Sequence, residues 1–180
     1  TLTQANTFNT NLVSVETLLI TDRLTQGLDL GYLEGVTRVN LSDVSGAGGA
    51  LNGAQTLSGL TNGFTIGIDD TLSAVLTASV TGAAASASDS LTVVLTESAN
   101  TNYTSIAVAD VETLTIDVTE ATANALVRAA TLGIASTATS TALGGSGAAQ
   151  TVNIIGTESL TINTAIAAAT INASGMGART

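Results

Sequence analysis

The chain has 180 residues, a net charge of -10, and 44% hydrophobic but only 2% aromatic residues, so any core must be built from Leu, Ile, Val and Ala. It contains no Cys, His, Pro, Trp or Lys, and its cations are Arg23, Arg38, Arg128 and Arg179. Those absences remove Ser-His-Asp and Cys-His catalysis, the usual zinc ligands, disulfides, the lysine of a phosphate-binding Walker loop and Schiff-base chemistry. An acidic chain without a basic cluster does not suit phosphate-backbone binding, so nucleic acid is a poor partner. Apolar runs stop well short of the ~18 residues that a membrane-spanning helix requires. A mean hydropathy of +0.44 argues against disorder, which goes with high charge and low hydrophobicity.

In chain order, short runs alternate β-branched residues or Leu with Thr, Ser or Asn. They are 17–21, 36–41, 64–68, 72–80, 90–96, 113–118, 151–155 and 159–163. Period-two alternation predicts strands with one buried face, and the links between them are too short for helical crossovers. Thr119-Glu120 followed by an Ala-rich run to Gly133 reads instead as a capped helix. The Gly46–Gly53 cluster lacks Gly-x-Gly-x-x-Gly spacing and reads as a turn. Residues 135–149, carrying Gly144-Gly145-Ser146-Gly147, read as a wide loop. This divides the chain into solenoid rungs over 1–143 and their continuation over 144–180, read as one domain cut from a longer polypeptide. The start at Thr-Leu-Thr and the single Met at position 176 fit that expectation.

Three hexads repeat one pattern: Val15-Glu16-Thr17-Leu18-Leu19-Ile20, Val111-Glu112-Thr113-Leu114-Thr115-Ile116 and Thr157-Glu158-Ser159-Leu160-Thr161-Ile162. Two of them follow a further apolar alternation, at 104–108 and 151–155. The unit is therefore strand, acidic turn, strand, and units that cannot bury their own faces must stack. The expected fold is all-β, an irregular parallel β-solenoid of β-helix type with Gly/Ala-rich loops. An immunoglobulin-like β-sandwich is the alternative that short, evenly spaced strands also permit.

The turn-strand at 109–116 and the Asp89-Ser90-Leu91-Thr92-Val93 strand resemble the extracellular β-solenoid regions of bacterial surface-layer proteins and related type I-secreted proteins of the repeats-in-toxin superfamily. The similarity is strongest over 87–175. It implies a structural segment of a calcium-stabilised, self-assembling cell-surface lattice, or alternatively a spacer or ligand-binding domain of a large secreted adhesin. In either case the protein would be extracellular, at a bacterial cell surface or secreted, and would not be an enzyme. Its partners would be copies of itself, with cell-surface polysaccharide reached through other domains. The family's glycine-rich nonapeptide is not matched, because Gly144-Gly145-Ser146-Gly147 is followed by Ala148-Ala149 rather than Asp. Any calcium site must be of a less regular kind.

Calcium takes six to eight oxygen ligands, and oxygen ligands are what this chain offers. The candidates are carboxylates at expected turns: Glu16, Asp69, Asp70, Asp89, Asp110, Glu112, Asp117 and Glu158, with Asp22 beside the first strand. A Glu at the same turn of successive rungs would ligate an ion held also by neighbouring carbonyls, and the adjacent carboxylates of Asp69-Asp70 call for a screening cation. The plainer reading makes these residues solvated turn positions that keep strand edges soluble. A carboxylate pair can also cleave glycosides, but Phe8, Tyr32, Phe64 and Tyr103 are the only aromatics on which a sugar could stack.

Overall fold

The computed structural model describes residues 14–21, 27–42, 55–69, 72–97, 101–108, 110–120, 129–134, 151–162 and 168–177. The described residues form thirteen strands: β1 (Thr17–Ile20), β2 (Leu28–Asp29), β3 (Arg38–Leu41), β4 (Gln55–Leu60), β5 (Phe64–Ile68), β6 (Leu72–Val80), β7 (Ser90–Glu97), β8 (Thr101–Val108), β9 (Thr113–Glu120), β10 (Ala129–Ile134), β11 (Thr151–Gly156), β12 (Ser159–Ile162) and β13 (Thr170–Met176). One 3-10 turn, Ala83–Ala85, lies between β6 and β7. Among the described residues no helix is long and apolar enough to cross a membrane.

The strands sort by parity. Odd-numbered strands form one sheet in the order β1-β3-β5-β7-β9-β11-β13, and even-numbered strands form a second in the order β12-β10-β8-β6-β4-β2. Every pairing is parallel. The immunoglobulin-like sandwich is therefore corrected, because its sheets are antiparallel. Consecutive strands lie in different sheets, so each chain segment returns to a sheet only after visiting the other.

Parallel register explains why the alternation is apolar on one face. Leu18, Val39, Ile66, Val93, Ile116 and Ile154 stand opposite one another across six strands. A second row runs Phe64, Leu91, Leu114, Val152 and Ile171, and a third Ile20, Leu41, Ile68, Leu95 and Val118. Apart from Ile171, which is exposed at the end of the odd sheet, these rows face the even sheet's Leu57, Leu60, Leu76, Ala78, Val80, Ile106 and Val108 in a single core. Leu57, Leu60, Ile66 and Leu95 are fully buried, each contributing about 1.5–3 kcal/mol of burial free energy. Thin layers of aliphatic side chains thus replace the missing aromatics. The outward positions carry the polar alternates, as in the row Thr65, Thr92, Thr115, Asn153 and Asn172.

The expected helix over 119–133 is not formed where the chain is described. Thr119 and Glu120 end β9, and Ala129–Ile134 is β10, paired with β8 on one side and β12 on the other. Two ladders of backbone hydrogen bonds outweigh the helical preference of a few alanines. Residues 121–128, the Gly46–Gly53 cluster and the 135–149 loop lie outside the described residues. β11 nevertheless pairs with β9 along six positions, so the odd sheet continues across that stretch.

Candidate functional site

From β3 onward the strands of the odd sheet follow strands of the even sheet, and among the described residues two of these junctions carry buried acids. Asp89 precedes β7 and Glu112 precedes β9. Because Ser90 pairs with Thr113, the two acids occupy neighbouring ladder positions, about 4.8 Å apart along the hydrogen-bonding direction. Thr113 N–H donates to the Asp89 carbonyl at 3.0 Å and Thr151 N–H to the Glu112 carbonyl at 2.8 Å. The parallel ladder therefore runs through both acids and fixes their backbones.

The side chains are enclosed. Asp89 is 4% and Glu112 8% exposed, and Val111 between β8 and β9 is fully buried. Asp89 N–H donates to Glu112 Oε2 at 2.7 Å, a buried charge-assisted bond across the two strands. Asp89 Oδ2 is buried with no hydrogen-bond partner. A buried carboxylate oxygen without a donor, beside a second buried carboxylate, is unfavourable unless a counter-charge completes it.

Asn62, at the preceding junction, supports this arrangement. Its Oδ1 accepts from Ser90 N–H at 2.9 Å and from Ser90 Oγ–H at 3.0 Å, while its Nδ2 donates to the Ser88 carbonyl at 3.3 Å. One amide thus holds the backbone on both sides of Asp89. Asn62 was not among the residues that the sequence singled out. The available signal was the Asn62-Gly63 pair ahead of an alternating run, which marks a turn in which Asn can bond the local backbone.

The repeat glutamates are not brought together. Following the register from Thr17 through Arg38, Thr65 and Thr92 leads to Thr115, not to Thr113. The first hexad is therefore displaced by two residues against the second. An even displacement keeps every apolar residue facing inward, so packing tolerates it, whereas a shift of one would turn the strand inside out. Exposed Glu16 consequently lies at the level of Leu114 rather than Glu112. Glu158 is 1% exposed but precedes β12 of the even sheet, and Thr157 Oγ1 contacts its Oε1 at 3.5 Å.

The other candidates are dispersed. Asp69 is exposed just after β5, and Asp117 is half-buried on the outward face of β9 between Val94 and Ile155. Asp110 begins the turn that carries Glu112, with a φ of 58°, a left-handed conformation that Asp adopts more readily than most residues. Asp70 and Asp22 lie outside the described residues. Among the described residues no three acidic side chains group closely enough to hold an ion by themselves. The Asp89–Glu112 pair offers only hard oxygen donors, which suits calcium, with remaining positions left to backbone carbonyls and water.

No protein-family model matches the chain, and no curated protein matches it.

Proposed function

We propose that this chain is a parallel β-solenoid segment of a calcium-stabilised, self-assembling bacterial surface lattice, with a structural rather than catalytic role. The observation that carries the calcium part of this reading is the buried Asp89–Glu112 pair with its unpartnered Oδ2. Strict alternation of strands between two all-parallel sheets supports the solenoid. The composition supports a scaffold, because acids outnumber cations by 14 to 4 while His, Cys and Lys are absent.

On this reading calcium supplies positive charge at a strand junction. Asp89 and Glu112 hold it, Asn62 positions the Asp89 backbone, and the Asp89 N–H keeps Glu112 turned towards its neighbour. Neutralising paired carboxylates favours folding of a chain carrying -10 and lets copies approach one another. Such a protein folds where calcium is plentiful, consistent with an extracellular position at the cell surface.

A calcium titration of the purified chain tests this, with circular dichroism and light scattering followed together and reversed by EDTA. A sharpened β signal with reversible assembly is the expected result. A sharpened signal in a chain that stays monomeric would favour the adhesin spacer. No response in either signal would remove calcium from the account.

A further inference from the structure

Arg38 is the one cation among the described residues. It stands on the outward face of β3, two residues before Asn40 on the same face. Its Nε–H donates to Asn40 Oδ1 at 2.7 Å. Across the ladder, the residue opposite Asn40 on β5 is Gly67. A Cβ there would lie 3.1 Å from Arg38 Nη2 and would overlap Asn40 Oδ1. The bare glycine therefore lets both side chains lie over β5. Beside them is a pocket of about 130 Å³ lined by Leu19, Arg38, Asn40, Gly67, Asp69 and Thr96, with Leu41 and Ile68 completing its wall. The terminal guanidinium nitrogens have no acceptor among the described residues.

We propose that this pocket receives a carboxylate from a second copy of the chain, making Arg38 a contact of the assembled state. The proposal rests on the self-assembly reading above. A guanidinium whose Nε is already engaged presents its remaining N–H groups as a planar fork, which matches a carboxylate. The volume is that of a side chain rather than the ~300 Å³ or more of a small-molecule pocket. With 14 acids against 4 cations, an outward-facing guanidinium is a scarce complement to the acids that a second copy presents. Leu19, 57% exposed on β1, supplies an apolar rim that such a contact would cover.

The test compares the full chain with Arg38→Gln in calcium, reading the assembly threshold by light scattering. In parallel, sodium acetate is titrated into each isotope-labelled protein while the Gly67 amide is followed by NMR. Arg38→Gln should leave the circular dichroism unchanged and raise the threshold concentration about tenfold, equivalent to about 1.4 kcal/mol per contact. Acetate should shift the Gly67 amide in the wild type and not in Arg38→Gln, and should raise the wild-type threshold by competition. Asp69→Asn, which removes the like charge at the pocket, should lower it. An unmoved Gly67 amide overturns the proposal. So does equal assembly of Arg38→Gln and the wild type, which would leave the assembly reading itself intact. A wild type that does not assemble in calcium overturns that reading and this proposal with it.

Discussion

Replacing Glu112 with Gln separates a calcium site from a structural hydrogen bond because only the calcium role makes the difference between variant and wild type depend on calcium. The amide oxygen of Gln can still accept from Asp89 N–H, so the bond at 2.7 Å is retained in kind while one buried negative charge is removed. With the ladder spacing of about 4.8 Å taken as the charge separation and an effective dielectric constant of about 20, the relieved repulsion amounts to about 3.5 kcal/mol. Without calcium, Glu112→Gln should therefore be at least as stable as the wild type. With calcium at about 100 times its dissociation constant, the wild type should gain about 2.7 kcal/mol by linkage, and the variant much less. The assay is urea denaturation followed by circular dichroism, in EDTA and in excess calcium. Equal destabilisation of Glu112→Gln under both conditions would refute the reasoning and make Glu112 a hydrogen-bonding residue only. So would a wild-type midpoint that calcium does not move.

Asn62→Ala removes three hydrogen bonds around Asp89. It should cost about 1–3 kcal/mol and reduce the calcium-dependent gain, both readable in the same denaturation experiment. Gly156→Ala should cost about 1–3 kcal/mol or more, because Gly156 has a φ of 127° and a Cβ there would overlap the Val118 backbone; its urea midpoint checks this. Phe64→Ala, at 1% exposure, should lose about 3–5 kcal/mol. Leu19→Ser, on an outward position, should stay within about 0.5 kcal/mol in the unassembled chain.

Much of the fold was legible because burial in a parallel stack leaves a local trace. Runs such as Thr113–Val118 and Ser90–Thr96 alternate with period two, and they are strands with the expected inward residues. What escaped was whatever depends on a partner strand. Ala129–Ile134 reads as helix by local preference and becomes a strand because β8 and β12 flank it. The two-residue arm of β2 and the polar, exposed β13 carry too little alternation to be found in isolation.

The candidate site divides in the same way. The acidic turns were legible as Asp or Glu immediately before Thr or Ser and an apolar alternation, and Asp89, Glu112 and Glu158 are the buried acids among the described residues. Their grouping was not legible. The hexad repeat suggested that Glu16, Glu112 and Glu158 would stack, yet a two-residue displacement and a change of sheet separate them, while Asp89, outside the repeat, stands beside Glu112. By itself the sequence determined the chemistry available, oxygen ligands without nitrogen or sulfur ones, and which residues face inward, since both are properties of single side chains and their spacing. The tertiary structure alone decided which acids are neighbours, because parallel register is set by packing across strands far apart in the chain, and displacement by two residues costs that packing nothing that a local pattern records.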